Sequence, residues 1–319
     1  MQKLNAVIVS LVMLFLLAAC QPNNEPQLRI GTNLWPGYEP LYLARDQQAF
    51  HGLDVQLIEY RAAGQVLNGL RKGTINMAAV TLDEAVRIAA NGLPIEVIWL
   101  FNVSDGADQL LARSDIRQIS ELKGKKIGIE NNALGAYLWQ RFVSLHQLNA
   151  NDYEIIGRDL AAHSQAMANG EIDAVMTFEP EKSKLLRAGA NSLFTSKEIP
   201  GEILDVLIVR KTGDDAPTQR QVQQFIRQYH QTFSRMQHNF PAWYPALNKR
   251  LKLSDTELQQ TFTELQIPSV ASQIRLLSDQ TKMQKLMADY QAVLLKIDMI
   301  KQPCDCRDLI NTAYLAALP

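Results

Sequence analysis

The chain has 319 residues, with 32 basic and 33 acidic side chains and a net charge of −1. That balance is neither a nucleic-acid binder's nor a membrane-adsorbing protein's, and the length allows one large or two ordinary domains with real cores. The only cysteines are Cys20, Cys304 and Cys306.

The first nineteen residues read as a segment to be removed. Lys3 supplies a positive start, and Ala6 to Leu17 is apolar apart from Ser10, too short for a stable membrane span. It ends in Leu17-Ala18-Ala19-Cys20, which resembles the bacterial lipobox, so Cys20 is expected to be lipidated and to begin the mature chain. Gln21, not Asp, follows it, which leaves outer-membrane sorting open. Residues 20–27 read as a polar tether. Without residues 1–19 and their Lys3, 31 basic residues face 33 acidic ones.

From Leu28 the pattern alternates between strand and helix, which argues for parallel α/β sheets. Strands are predicted at Leu28–Asn33, Val55–Tyr60, Asn76–Val80, Ile95–Phe101, Gln109–Ala112, Lys126–Ile129, Tyr153–Ile156, Ala174–Thr177 and Asp205–Arg210. Helices are predicted at Leu41–Phe50, Gly64–Lys72, Leu82–Asn91, Ala136–His146, His163–Asn169 and Pro180–Ala188. Past Pro217 only helical spacing remains, at Val222–Gln237, Ala242–Leu251, Glu257–Leu265, Ile274–Lys296 and Asp305–Leu315, with Ser254 and Glu257 forming a capping box. Cys304 and Cys306 form either a strained disulfide or a reduced pair.

A shift of 97 residues realigns the chain with itself. Gly31 falls on Gly128, Leu41 on Leu138, and Gly73-Thr74-Ile75-Asn76-Met77-Ala78 on Gly170-Glu171-Ile172-Asp173-Ala174-Val175. Thr81 meets Thr177 one residue short of that offset. Two similar lobes with a cleft between them are expected, the alternative being two unrelated units of similar length. The proposed division is 28–110 with 206–319 as the first lobe and 111–205 as the second.

No catalytic constellation stands out: there is no Gly-x-Ser-x-Gly, no Walker sequence, no Gly-x-Gly-x-x-Gly and no His-Glu-x-x-His. Binding features cluster in turns that follow strands, the edge where open α/β sheets take ligands. In the turn Asn33-Leu34-Trp35-Pro36-Gly37-Tyr38-Glu39, Trp35 and Tyr38 are read as ligand walls and Asn33 and Glu39 as hydrogen-bonding groups; the alternative is cover over a core edge. Thr81 and Asp83 follow a second strand, with Thr81 and Glu84 also matching a capping box. Ser104 and Asp105 sit in a polar turn (Asn102 to Asp108) that suits a crossing between lobes. Asn131 and Asn132 occupy the second lobe's counterpart of the opening turn, and Thr177 and Glu179 its second edge, where Phe178 is assigned to the core. With Glu130 this rim is acidic and lacks arginine, which favours an amine, an amidine-like ring or a zwitterion over sulfate or nitrate.

The chain resembles periplasmic solute-binding lipoproteins of ABC importers, of the nitrate/sulfonate/taurine type that includes thiamin-precursor binders. Ile30-Gly31-Thr32-Asn33 with Trp35-Pro36-Gly37-Tyr38, Gly73 to Ala78, Leu122-Lys123-Gly124-Lys125-Lys126-Ile127-Gly128 and Gly170 to Ala174 carry the resemblance across Leu28 to Lys211. It implies a type II periplasmic-binding-protein fold, α/β, with two mixed-sheet lobes joined by two hinge strands and followed by a helical C-terminal third. It also implies a monomer without cofactor, anchored by lipid on Cys20 in the periplasm and delivering a small-molecule solute to an ABC permease and ATPase. The acidic rim departs from the sulfonate and nitrate binders, and the cysteine-rich segment of the pyrimidine-precursor synthases is absent. A ligand-sensing partner of a membrane signalling protein is the alternative, with a synthase-like enzyme third.

Overall fold

The computed structural model describes residues 25–319. The signal segment 1–19, Cys20 and most of the tether lie outside the described residues. The last three tether residues are held by the fold. Glu25 pairs with Arg220, the Pro26 carbonyl accepts from Gln221 at 2.8 Å, and the Gln27 carbonyl accepts from Asn76 at 2.8 Å.

In chain order the first lobe runs β1 (Leu28–Thr32), α1 (Glu39–Asp46), β2 (Val55–Glu59), α2 (Ala63–Lys72), β3 (Met77–Thr81), α3 (Leu82–Ala90) and β4 (Ile95–Ser104). After a crossing, the second runs β5 (Gln109–Ala112), β6 (Lys126–Ile129), α4 (Ala133–Leu145), β7 (Glu154–Gly157), α5 (His163–Ala168), β8 (Ala174–Thr177), α6 (Glu181–Arg187) and β9 (Asn191–Thr195). The chain then returns through β10 (Leu204–Arg210) to α7 (Gln219–His238), α8 (Tyr244–Leu251), α9 (Asp255–Thr263), β11 (Leu265–Gln266), α10 (Val270–Leu277), α11 (Gln280–Lys296) and α12 (Ala313–Ala316).

Two mixed sheets result. The first has the order β11-β4-β10-β3-β1-β2 and the second β7-β6-β8-β5-β9. Within each, three neighbouring strands pair in parallel, and the crossing strand runs antiparallel to the strands on both sides of it: β10 between β3 and β4, β5 between β8 and β9. Each lobe is completed by a strand that has just come from the other, which is the type II periplasmic-binding-protein topology. Gln109 and Leu110, assigned by sequence to the first lobe, pair wholly within the second sheet, because β5 begins as soon as the crossing turn ends.

Most elements lie within a few residues of their sequence positions, and the exceptions have physical causes. The strand β9 escaped notice because Asn191 and Ser192 interrupt its apolar run; it is recruited as the outer partner of β5. β11 lies in the third expected to be purely helical, and two backbone pairings hold it on β4. The helix expected at Ile274–Lys296 is broken, because Asp279 caps a new start by accepting from Lys282 N–H at 3.0 Å. Most of the expected helix Asp305–Leu315 is diverted onto β4, where Val97 donates to the Leu309 carbonyl at 2.8 Å and accepts from Asn311 at 2.9 Å. Cys304 and Cys306 are joined as a disulfide.

The main core sits on both faces of the first sheet. Trp99 of β4 is fully buried and packs edge-on against Tyr229 and Phe233 of α7, so the C-terminal helices cover the first lobe. Among the described residues no helix is long and apolar enough to cross a membrane.

Polar contacts join the lobes. Glu84 of α3 accepts from the Ala133 N–H at the start of α4 at 2.7 Å, using the positive end of that helix. Lys182 of α6, 2% exposed, lies between Glu179 at 3.1 Å and Glu264, at the end of α9. Replacing Lys182 with Met leaves two buried carboxylates without their cation. Denaturant unfolding should show a loss of ~3–5 kcal/mol, and Glu264→Gln in the same background should restore part of it.

Candidate functional site

The cavity lies between the sheets, at the two crossings. Its lining is Asn33, Trp35 and Tyr38 from the turn after β1, Ala63 at the start of α2, Val80 and Thr81 ending β3, and Asp108 before β5. The second lobe and the return crossing add Glu130, Asn132, Leu134, Phe178, Ile203 and Asp205. Free space is about 30 Å³, room for a water or two, so the lobes are closed on one another.

The opening turn is built to press into this space. Pro36 starts a short 3-10 turn that runs directly into α1, and Gly37 packs so tightly that an added Cβ would lie 1.9 Å from Asn102 Nδ2. Tyr38 Oη donates to Asp205 Oδ1 at 2.7 Å, and its ring lies edge-on to Phe101. Trp35 meets Phe178 of the other lobe edge-to-face, with centroids 5.2 Å apart, closing the cavity with an aromatic contact.

Several expected residues converge here: Asn33, Trp35, Tyr38, Thr81 and Asn132 all line the cavity. Asn132 also caps α4, accepting from Gly135 N–H at 2.8 Å while donating to Glu130 at 3.1 Å. Thr81 makes no side-chain cap, because Glu84, its expected partner, reaches across to α4 instead. Asp83 stands just behind the lining, 1% exposed, with one carboxylate oxygen unpartnered.

The others lie outside the lining. Glu39, expected to meet ligand, is the first residue of α1, whose turn carries its carboxylate away from the cleft to Arg250 of α8 at 2.6 Å. Arg250 also pairs with Glu59 and lies over the Tyr42 ring. Asp105 is tied to the edge strand, accepting from Gln266 at 3.1 Å. Ser104 bonds Ser196 at 2.7 Å, a contact between the two crossings. Asn131 packs its amide against Gly157. Thr177 is held by His163 at 3.0 Å. Glu179, two residues before α6, accepts from Ser183 N–H and Oγ and pairs with Lys182.

Sequence reasoning missed Asp108, Asp205 and Phe178. The signal was present. The offset of 97 carries Asp108 onto Asp205, Asn33 onto Glu130, Trp35 onto Asn132 and Thr81 onto Phe178 (108 + 97 = 205, 33 + 97 = 130, 35 + 97 = 132, 81 + 97 = 178), and all eight residues line the cavity. It also carries β5 onto β10, so the repeat includes the crossings.

Electrostatically the cavity is acid without compensation. Three carboxylates line it, and no Lys, Arg or His does. Burial raises Asp108 from 3.8 to about 6, with Ser104 and Lys182 opposing. Burial raises Glu130 from 4.5 to about 7, opposed by the Asn132 amide and the Leu160 N–H. Asp205 is pushed well up by burial, with the Tyr38 hydroxyl opposing and Asp108 and Asp83 adding. Burial, and for Asp83 the proximity of Glu84, push that adjacent pair up as well.

The profile of the NMT1/THI5-like family matches residues 35–236, more than half of the chain. The chain belongs to that family. It agrees with the nitrate/sulfonate/taurine-type resemblance, and the matched span includes every residue of the cavity lining except Asn33. No curated relative matches the chain. Among solved structures, the ligand-binding component of an ABC-type import system from Staphylococcus aureus, with zinc bound, has a TM-score of 0.75 at 14% identity, covering 92% of this chain and 99% of that one. The alkanesulfonate-binding protein SsuA from Xanthomonas axonopodis pv. citri, bound to MOPS, has a TM-score of 0.70 at 19% identity, covering 90% and 99%. The desulfurization enzyme DSZB has a TM-score of 0.63 at 14% identity, covering 90% and 97%. At such identities these structures share the fold. Among the described residues, no three His, Cys, Asp or Glu side chains converge to hold a metal ion.

The raised carboxylates fix the sign of a pH effect. Between the ordinary carboxylate range and the raised values, the folded protein holds more protons than the unfolded one, so stability falls as pH rises. Ligand-free protein should melt at a higher temperature at pH 5 than at pH 8, losing ~1.4 kcal/mol per pH unit for each excess proton. Asp205→Asn should flatten that slope.

Proposed function

We propose that the protein is the solute-binding component of an ABC importer and captures a small, polar, nitrogen-containing solute that is cationic at neutral pH. One observation carries the ligand class: Asp108, Glu130 and Asp205 line a cavity between closed lobes, and no cationic side chain lines it with them. An anion entering this space would meet buried carboxylates and no Arg or Lys to receive it. A cation supplies the missing counter-charge, and Trp35, Tyr38 and Phe178 offer faces and edges to pack on it.

The mechanism follows from where the lining comes from. Asn33, Trp35, Tyr38 and Thr81 belong to one lobe, Glu130, Asn132 and Phe178 to the other, and Asp108 and Asp205 to the crossings. Opening about the crossings parts Trp35 from Phe178, a solute settles on one lobe, and closure adds the other lobe's contacts. A ligand that gains contacts only on closure shifts the population toward the closed form. The closed surface is then what a permease and ATPase recognise.

This reading places the protein in the periplasm, as a monomer tethered through lipid on Cys20; the Leu17-Ala18-Ala19-Cys20 run supports the anchor. On this reading the role is binding.

Mass spectrometry of the molecule released on denaturing the purified protein tests the ligand class. A basic nitrogen compound, recovered unchanged, is expected. A sulfonate or nitrate would end the charge argument, and a cleaved product would favour an enzyme. Cys20→Ala should move the protein from the membrane fraction to the soluble periplasmic extract, and an unchanged distribution would remove the lipid anchor.

A further inference from the structure

Asp108 and Asp205 are partners under the internal repeat, one on each crossing, and are 1% and 2% exposed. Their surroundings differ at one point. Tyr38 donates to Asp205 Oδ1, and the repeat places Gly135, not a second tyrosine, at the matching position of the other lobe (38 + 97 = 135). At full hydrogen-bond geometry Asp108 has both carboxylate oxygens without a partner, with the Ser104 hydroxyl close by, and Asp205 has one, Oδ2. The Trp35 indole N–H, also buried in the lining, makes no bond of full hydrogen-bond geometry but faces Asp205 and opposes the rise of its pKa. The nearest buried cation, Lys182, is engaged by Glu264 and by Glu179 at 3.1 Å.

Buried carboxylate oxygens without partners are costly, and two residues lining this cavity carry three of them. A folded protein keeps such an arrangement where a ligand completes it. The three free oxygens also specify the donor. Two oxygens of one carboxylate match a pair of parallel N–H groups on a planar cation. The third, on a different strand, takes another N–H. Quaternary ammonium has no N–H to offer, and a neutral amide has donors but no charge.

We propose that Asp108 and Asp205 form the cation subsite of the cleft and take a planar amidinium- or guanidinium-type head group, with two N–H donors on Asp108 and one on the free oxygen of Asp205. The inference rests on the solute-binding reading and adds to it the head group and the residues that select it. Tyr38 acts as a positioning residue: by occupying one oxygen of Asp205 it makes the two carboxylates unequal and fixes which way round the head group sits. The aromatic edges of Trp35 and Phe178 border the same space and suit a flat group. A cation between the two aspartates also offsets the effect each has on the other.

Acetamidinium and acetamide are close in shape and differ in charge, and tetramethylammonium carries charge without donors. Thermal shift and calorimetric titration of the purified protein with each, as chloride salts where charged, form the test. Acetamidinium should bind and raise the melting temperature, and the other two should do neither at equal concentration. Asp108→Asn and Asp205→Asn should each weaken acetamidinium by about tenfold or more, the usual cost of losing hydrogen bonds to a charged group, and Asp105→Asn, outside the cavity, should leave it unchanged. Equal binding of acetamide would overturn the proposal, and so would binding of tetramethylammonium, which would mark an aromatic cage instead. The wild-type comparison stands even if a variant fails to fold. If the native ligand proves to be a cation but Asp108→Asn and Asp205→Asn keep their preference for acetamidinium, this subsite assignment fails alone; if the native ligand is an anion, the ligand-class reading fails with it.

Discussion

The two crossings constrain everything else in the molecule. Each sheet is completed by a strand arriving from the other lobe, β10 between β3 and β4 and β5 between β8 and β9. A strand hydrogen-bonded on both sides cannot shift register without losing both ladders. The residues at the starts of these strands are therefore held firmly, deep in the structure, where the chain passes between the lobes. Asp108 and Asp205 occupy those positions. Fixed there, they cannot turn out to water, and burial favours their protonated forms unless a counter-charge meets them inside the cleft.

The remaining polar groups show how selective that exposure to the cleft is. Glu39 is met by Arg250, Glu179 and Glu264 by Lys182, and Glu84 by the N-terminus of α4. Each of these buried acids has a partner from another element. The acids left over, Asp83, Asp108 and Asp205, each with at least one unpartnered carboxylate oxygen, lie together at or just behind one cavity wall. Among the buried acids, unpartnered carboxylate oxygens occur at these three alone of the described residues.

The fold was largely legible in the sequence, and so was the internal repeat. Apolar runs at Leu28, Lys126 and Ala174 gave strands within a residue or so, since their periodicity and the turns around them agree. Elements decided by partners were not legible: β9 and β11 exist because a neighbouring edge was available, and the diverted segment before α12 lies on β4 although its spacing suits a helix. In the cavity, Asn33, Trp35 and Tyr38 of the opening turn form part of the lining, while Glu39 turns to Arg250, because a turn's sequence does not say which way the next helix faces.

Sequence by itself determined the order of elements, the duplication and the acid-rich, arginine-poor turns, because these depend on local periodicity and residue chemistry. Only the tertiary structure decided which acids are compensated. That depends on residues far along the chain, Arg250 for Glu39 and Lys182 for Glu264. The repeat linked Asp108 with Asp205 in the sequence, but that both face one cavity with free oxygens follows from the exchange of strands between the sheets.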